Sequence, residues 1–335
     1  MHNVVLGLRK ALIVFLIIGL IWLPSYHGED QGLTIVATFS SLVPDISLIT
    51  CPGDTVKGLI PAGVDPHEYM LTPDDVNYLK KADVIVSTAH THAELQIKEL
   101  VNAGELDGRL VEVSSISGIR LLKNPNTGQP NYHAVLYDPL NYLFFTYNLT
   151  MLFSELNPSM RDCYMSKYVA LYENVLNTIL VHRGKYDTIA VADAPLSQYA
   201  VEWLGIKVVK LVKAEHDAEA SSMDLLEVEK LMRERLIGLV IVTYPPTKTS
   251  EYLEEQASLH GVPILKVESP LTNNSFLSRL SKLVSQNLTP LETRATCEKG
   301  NDWSNAAVLA LSGITGAIGL AAGVLIKSRV RVRER

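Results

Sequence analysis

Seven histidines outside the first thirty residues are the side chains best suited to chemistry here: His67, His90, His92, His133, His182, His216 and His260. Neutral imidazole is the commonest protein ligand for zinc and an acceptable one for manganese, and a site needs several such groups gathered from distant parts of a chain. His182 and His260 fall near the ends of helical patterns, where the helix dipole alone accounts for them. The other five all follow short β-branched runs. His67 comes after TVKGLI, His90 and His92 after DVIVST, His133 in the loop region after RLVEVS, and His216 after KVVKLV. In open α/β sheets the loops beyond the carboxyl ends of strands converge on a crevice, so this placement suits a metal cleft. His67 is the most constrained of them, because Pro61, Gly63 and Pro66 fix its loop and Thr72-Pro73-Asp74 signals a helix start just beyond.

The elements that must carry these residues are legible as eight strand candidates: 33–39, 55–60, 83–88, 109–114, 187–192, 207–212, 238–244 and 263–268. They alternate with longer amphipathic stretches, the pattern of parallel sheets covered by helices. A strand-free, mostly helical stretch from about 139 to 182 divides them into two sets of four. The fold class expected is therefore α/β, with two lobes joined by a long rigid connecting helix. Pro158 interrupts that stretch, so either two helices meet there or Asn157-Pro158 marks a helix start.

Composition narrows the function. The 335 residues are 47% hydrophobic and 20% charged, enough for two cores, and the net charge of −6 gives no basic surface for nucleic acid. Cys51, Cys163 and Cys297 show no CxxC spacing, which excludes a zinc knuckle or thioredoxin-type redox site and leaves at least one thiol unpaired within a monomer. No HExxH motif is present. A secreted metallohydrolase would have to use Glu68 or Asp193 as its base, and an enzyme is not the expectation.

The ends read as membrane signals. Arg9 and Lys10 precede an apolar run of signal-peptide length, giving a signal over 1–29. Residues 303–326 are uncharged and long enough to cross a hydrocarbon core of about 30 Å, and five of the last nine residues are Lys or Arg. The expected order is a signal (1–29), an amino-terminal lobe (30–138), a connecting helical segment (139–185), a carboxy-terminal lobe (186–292), a linker (293–302), a transmembrane helix (303–326) and a basic cytoplasmic tail (327–335). The binding region would then lie outside the cell, anchored in the cytoplasmic membrane.

Three segments, IVATFSSLVPDI (35–46), PAGVDPHEYMLTPDDVNYLKKADVIV (61–86) and HAVLYDPLN (133–141), make the chain resemble the zinc/manganese solute-binding proteins of ABC importers. That resemblance implies two α/β lobes with an ion between them, His67 and His133 as ligands from the first lobe, and Glu268 as a carboxylate ligand after the last strand. It also implies an ABC permease and its ATPase as partners of a monomeric binder. The second lobe departs from the pattern, since Ala192 stands where a His or Glu ligand is expected. Asp193, His216, or His90 or His92 would then have to complete the shell. With His-rich ligation the transported ion is expected to be zinc ahead of manganese. Ala192 also leaves open an adhesin or a binder of a metal chelate on the same scaffold.

Overall fold

The computed structural model describes residues 32–214, 220–286 and 288. The signal segment, His216, Cys297 and the expected transmembrane helix and tail lie outside them. Among the described residues no helix is long and apolar enough to cross a membrane.

Eight strands form where β-branched runs predict them: β1 (Thr34–Phe39), β2 (Thr55–Ile60), β3 (Val84–Ser87), β4 (Arg109–Glu112), β5 (Thr188–Ala192), β6 (Ile206–Leu211), β7 (Leu239–Tyr244) and β8 (Ile264–Glu268). They make two parallel sheets of identical strand order, β2-β1-β3-β4 and β6-β5-β7-β8. Each sheet buries most of its two central strands, Val84–Ser87 throughout and Ile189 of β5 and Tyr244 of β7 being the exposed exceptions, as parallel sheets covered on both faces do. Among the described residues nine α-helices accompany them: α1 (Val43–Ser47), α2 (Pro73–Leu79), α3 (His92–Asn102), α4 (Pro139–Leu156), α5 (Arg161–His182), α6 (Gln198–Glu202), α7 (Ser222–Arg233), α8 (Lys248–His260) and α9 (Phe276–Gln286).

The connection between the sheets is not the single long helix expected. Proline has no N–H to donate and blocks the preceding turn, so α4 stops at Leu156 and a 3-10 turn over Pro158–Met160 redirects the chain into α5. The two helices then fold back on one another, with Phe153 against Tyr164 at 5.7 Å and Tyr147 against Tyr168 at 5.5 Å between ring centroids. Their inner faces join one apolar cluster that runs from Ile35 and Val84 in the first sheet to Ala190 and Ile241 in the second. A disulfide between Cys51, just after α1, and Cys163 in α5 fastens the first sheet to this hairpin.

Asp45 supplies a second fastening. This buried carboxylate on α1 accepts hydrogen bonds from the Tyr142 hydroxyl of α4 at 3.0 Å and from the Phe276 amide at the start of α9 at 2.7 Å. Burial pushes its pKa up to about 6, and the Phe276 amide, Arg279 and Tyr142 offset this only in part. The folded chain therefore holds the Asp45 proton more tightly than the unfolded chain does, and stability is lost as pH rises from about 4 to about 6.

Two outcomes follow. Asp45→Asn, which keeps an acceptor and removes the charge, is expected to raise stability at pH 7.5 by about 1–3 kcal/mol, a gain that shrinks toward pH 4; urea denaturation at both pH values measures it, and a pH-independent gain would refute the titration argument. Cys163→Ser opens a loop of 112 residues and is expected to cost about 2–5 kcal/mol in the same assay.

Candidate metal centre

Three loops beyond the carboxyl ends of the first sheet bring His67, His90 and His133 together, with one nitrogen from each lying within 4.8 Å of the others. The ring centroids are 5.3 Å apart for His90 and His133, 5.6 Å for His67 and His90, and 6.0 Å for His67 and His133. All three rings are half-buried in a cavity of about 100 Å³. Its opposite wall comes from the second half of the chain, through Leu196, Leu271, Phe276 and Arg279.

Each imidazole is held differently. The His67 amide donates to Asp65 Oδ1 at 2.9 Å, an Asx turn that sets the loop, and the following helix α2 is anchored by a reciprocal cap between Thr72 and Asp75. His90 lies parallel to the Phe39 ring at the end of β1, with Nδ1 2.9 Å from Thr88 Oγ1 and its backbone N–H donating to Glu94 Oε2 at 3.1 Å. Glu94 is buried and gathers hydrogen bonds from Thr38, Ser87, Thr88, His90 and Thr91. Burial acts to raise its pKa, but His90 and these donors outweigh it and hold the carboxyl below its ordinary value. A carboxylate in place behind His90 orients the ring and favours a cation in front of it.

His133 rests on Asn131. The amide oxygen Oδ1 accepts from the His133 backbone N–H at 2.9 Å and faces His133 Nδ1 at 3.2 Å. Because a backbone N–H can only donate, the amide oxygen is fixed as the acceptor, so Nδ1 carries the imidazole proton. Ala89, before His90, and Ala134, after His133, both adopt left-handed backbone conformations at φ 65° and 54°. Such conformations are costly for alanine and cluster where the chain is forced into a functional geometry.

The remaining sequence candidates among the described residues are not brought into this group. His92 is the exposed first residue of α3, pointing its chemistry elsewhere as part of a helix start capped by Thr91 and Glu94. Asp193 is buried among Thr243, Ser197 and Ser250, where burial raises its pKa beyond what those hydrogen bonds offset. Ala192 is sealed at the end of β5. Glu268 does not line the histidine cavity; its carboxylate is taken by Lys282 at 2.8 Å, Thr272 at 2.8 Å and Asn274. Burial acts to raise its pKa, but these three partners hold it low. Its backbone carbonyl does meet the site, accepting from Tyr137 Oη at 2.5 Å.

Comparison with known proteins agrees with this architecture. The chain is 30% identical to the metal ABC transporter substrate-binding lipoprotein SloC of Streptococcus mutans over 166 residues, 48% of this chain and 54% of that protein, so it spans about half the length of this curated relative. A Mn-bound periplasmic metal binding protein of Candidatus Liberibacter asiaticus shares its fold, with a TM-score of 0.63 at 18% identity, covering 77% of this chain and 99% of that one. So does a mutant laminin-binding adhesin, Lmb, of Streptococcus agalactiae, with a TM-score of 0.63 at 19% identity, covering 79% and 100%. Residues 35–293 match the family model of ZnuA, the periplasmic zinc-uptake complex component A, and the chain belongs to that family of binding proteins rather than to a family of enzymes.

Proposed function

We propose that this protein captures a divalent transition metal ion, zinc in preference to manganese, and delivers it to an ABC permease and its ATPase. The observation that carries the reading is the convergence of His67, His90 and His133, one nitrogen of each lying within 4.8 Å of the others. Three neutral imidazoles with no carboxylate among them suit an ion of borderline softness, and a tetrahedral ion would need one more ligand. His216 is our candidate for that position: Ala214, two residues before it, accepts a hydrogen bond at 2.6 Å from Asn124, which lies in the same loop as His133's support Asn131. Glu268, engaged by Lys282, is left out of the shell.

The cycle proposed is capture in the cleft, docking on the permease and release, with no bond made or broken in the cargo. Residues 1–29 would direct export, and 303–326 would anchor the binder near its permease, raising the local concentration of loaded protein. The Cys51–Cys163 disulfide supports an oxidising, extracytoplasmic location. An adhesin or chelate binder on the same scaffold draws its support from the missing ligand at Ala192, whereas His90 beside His67 and His133 supports capture of a bare ion.

Titration of chelator-stripped protein with Zn²⁺ is expected to show one tightly held ion. Substituting any one of His67, His90 or His133 with Ala is expected to weaken binding by at least about 100-fold, and Glu94→Gln by about 10–100-fold, while His92→Ala leaves it within about 3-fold. Affinity should fall as the solution is acidified, because a protonated imidazole cannot coordinate. Full affinity in His90→Ala would sink this ligand set.

A further inference from the structure

The three histidines brought together among the described residues all belong to loops of the first half of the chain, so, apart from any direct contact by His216, the second half can register the ion only through an intermediary. Glu94 and Thr88, which hold His90, come from the same half of the chain as His90 itself. Asn131 is different. It is 2% exposed and uses both ends of its amide: Oδ1 faces His133, while Nδ2 donates to the Pro195 carbonyl at 2.9 Å and to Gln198 Oε1 at 2.9 Å. Pro195 opens the 3-10 turn that follows β5, and Gln198 is the first residue of α6. The Asn131 carbonyl also accepts from Tyr199 Oη at 2.6 Å, and that same oxygen accepts from the Leu122 amide at 2.8 Å.

We propose that Asn131 is a positioning residue that couples metal occupancy at His133 to the 195–202 segment of the second half; this rests on the metal-binding reading above. A cation bound at His133 Nε2 withdraws charge from the ring and makes Nδ1–H a stronger donor. The Nδ1···Oδ1 contact, 3.2 Å in the structure, tightens. Charge drawn to the amide oxygen makes the Nδ2 hydrogens more acidic, which strengthens both bonds to the second half, since linked hydrogen bonds polarise one another. Loaded and empty protein then differ in how firmly the 195–202 segment is held, a difference that a docking partner can sense.

Hydrogen exchange of the full-length chain in detergent, with and without Zn²⁺, tests this together with Zn²⁺ affinity from chelator competition. In the wild type, Zn²⁺ is expected to slow exchange over 196–202. Asn131→Asp keeps an acceptor for His133 and loses both donors; affinity is expected to stay within about tenfold and the Zn²⁺-dependent slowing to vanish. Asn131→Ala loses both functions, and its affinity is expected to drop about 10–100-fold. Gln198→Met removes the Oε1 acceptor of Asn131, together with the Nε2 bonds to the Lys123 carbonyl and Glu202, without touching the three histidines, so it should leave affinity unchanged and weaken the slowing, even if the Asn131 variants fold poorly. A purely structural role would alter exchange equally in loaded and empty protein. Persistence of the wild-type Zn²⁺ response in Gln198→Met and Asn131→Asp overturns the proposal, as does a wild type that binds Zn²⁺ without any change at 196–202. A wild type that binds neither Zn²⁺ nor Mn²⁺ overturns the metal reading as well.

Discussion

Imidazoles repay a dication for its lost water only if their nitrogens are already close when it arrives, since gathering three flexible loops afterwards would consume the binding energy in ordering. In this chain the gathering of His67, His90 and His133 is done by polar groups outside the three rings. Glu94 collects the hydroxyls and amides around the turn after β3, Asn131 holds the His133 loop, and Asp65 sets the turn at His67. Two left-handed alanines beside the ligands show that this arrangement is imposed on the backbone by its surroundings.

Much of the scaffold could be read from the residues because parallel strands buried on both faces must be continuous β-branched runs. LVIVTY and TIVATF leave little alternative, and all eight strands lie within a residue or two of their expected bounds. The connecting segment was harder. Its aromatic residues, such as Phe153 and Tyr164, announce burial but not which partner they bury against, so the hairpin at Pro158 was legible only as a break.

The site was legible to the extent that its ligands sit in constrained loops. His67 stands between prolines, and the PHEY and YHAVLYDP strings carry a family signature, so their placement followed. His90 was ambiguous against His92, because both follow the same strand. The two are separated by Thr91, which caps α3: the cap commits His92 to the exposed first turn and turns His90 back toward the cleft. The Thr91-x-x-Glu94 capping pattern held that information. Glu268 stands differently: a carboxylate at the end of a strand reads as a ligand in one dimension, and only the fold reveals that Lys282, along α9, is its partner here.

Drawing His67, His90 and His133 all from one half of the molecule has a kinetic corollary for the ion proposed to sit among them. If the cleft widens, that ion would travel with this half and keep three nitrogen bonds, losing at most the contact from His216, so separation of the halves alone would not eject it. Escape would then require displacement at the ion itself, by a proton or a competing ligand offered from the transporter side, and the opposing apolar wall would serve as a cover that sets access rather than as a jaw that grips.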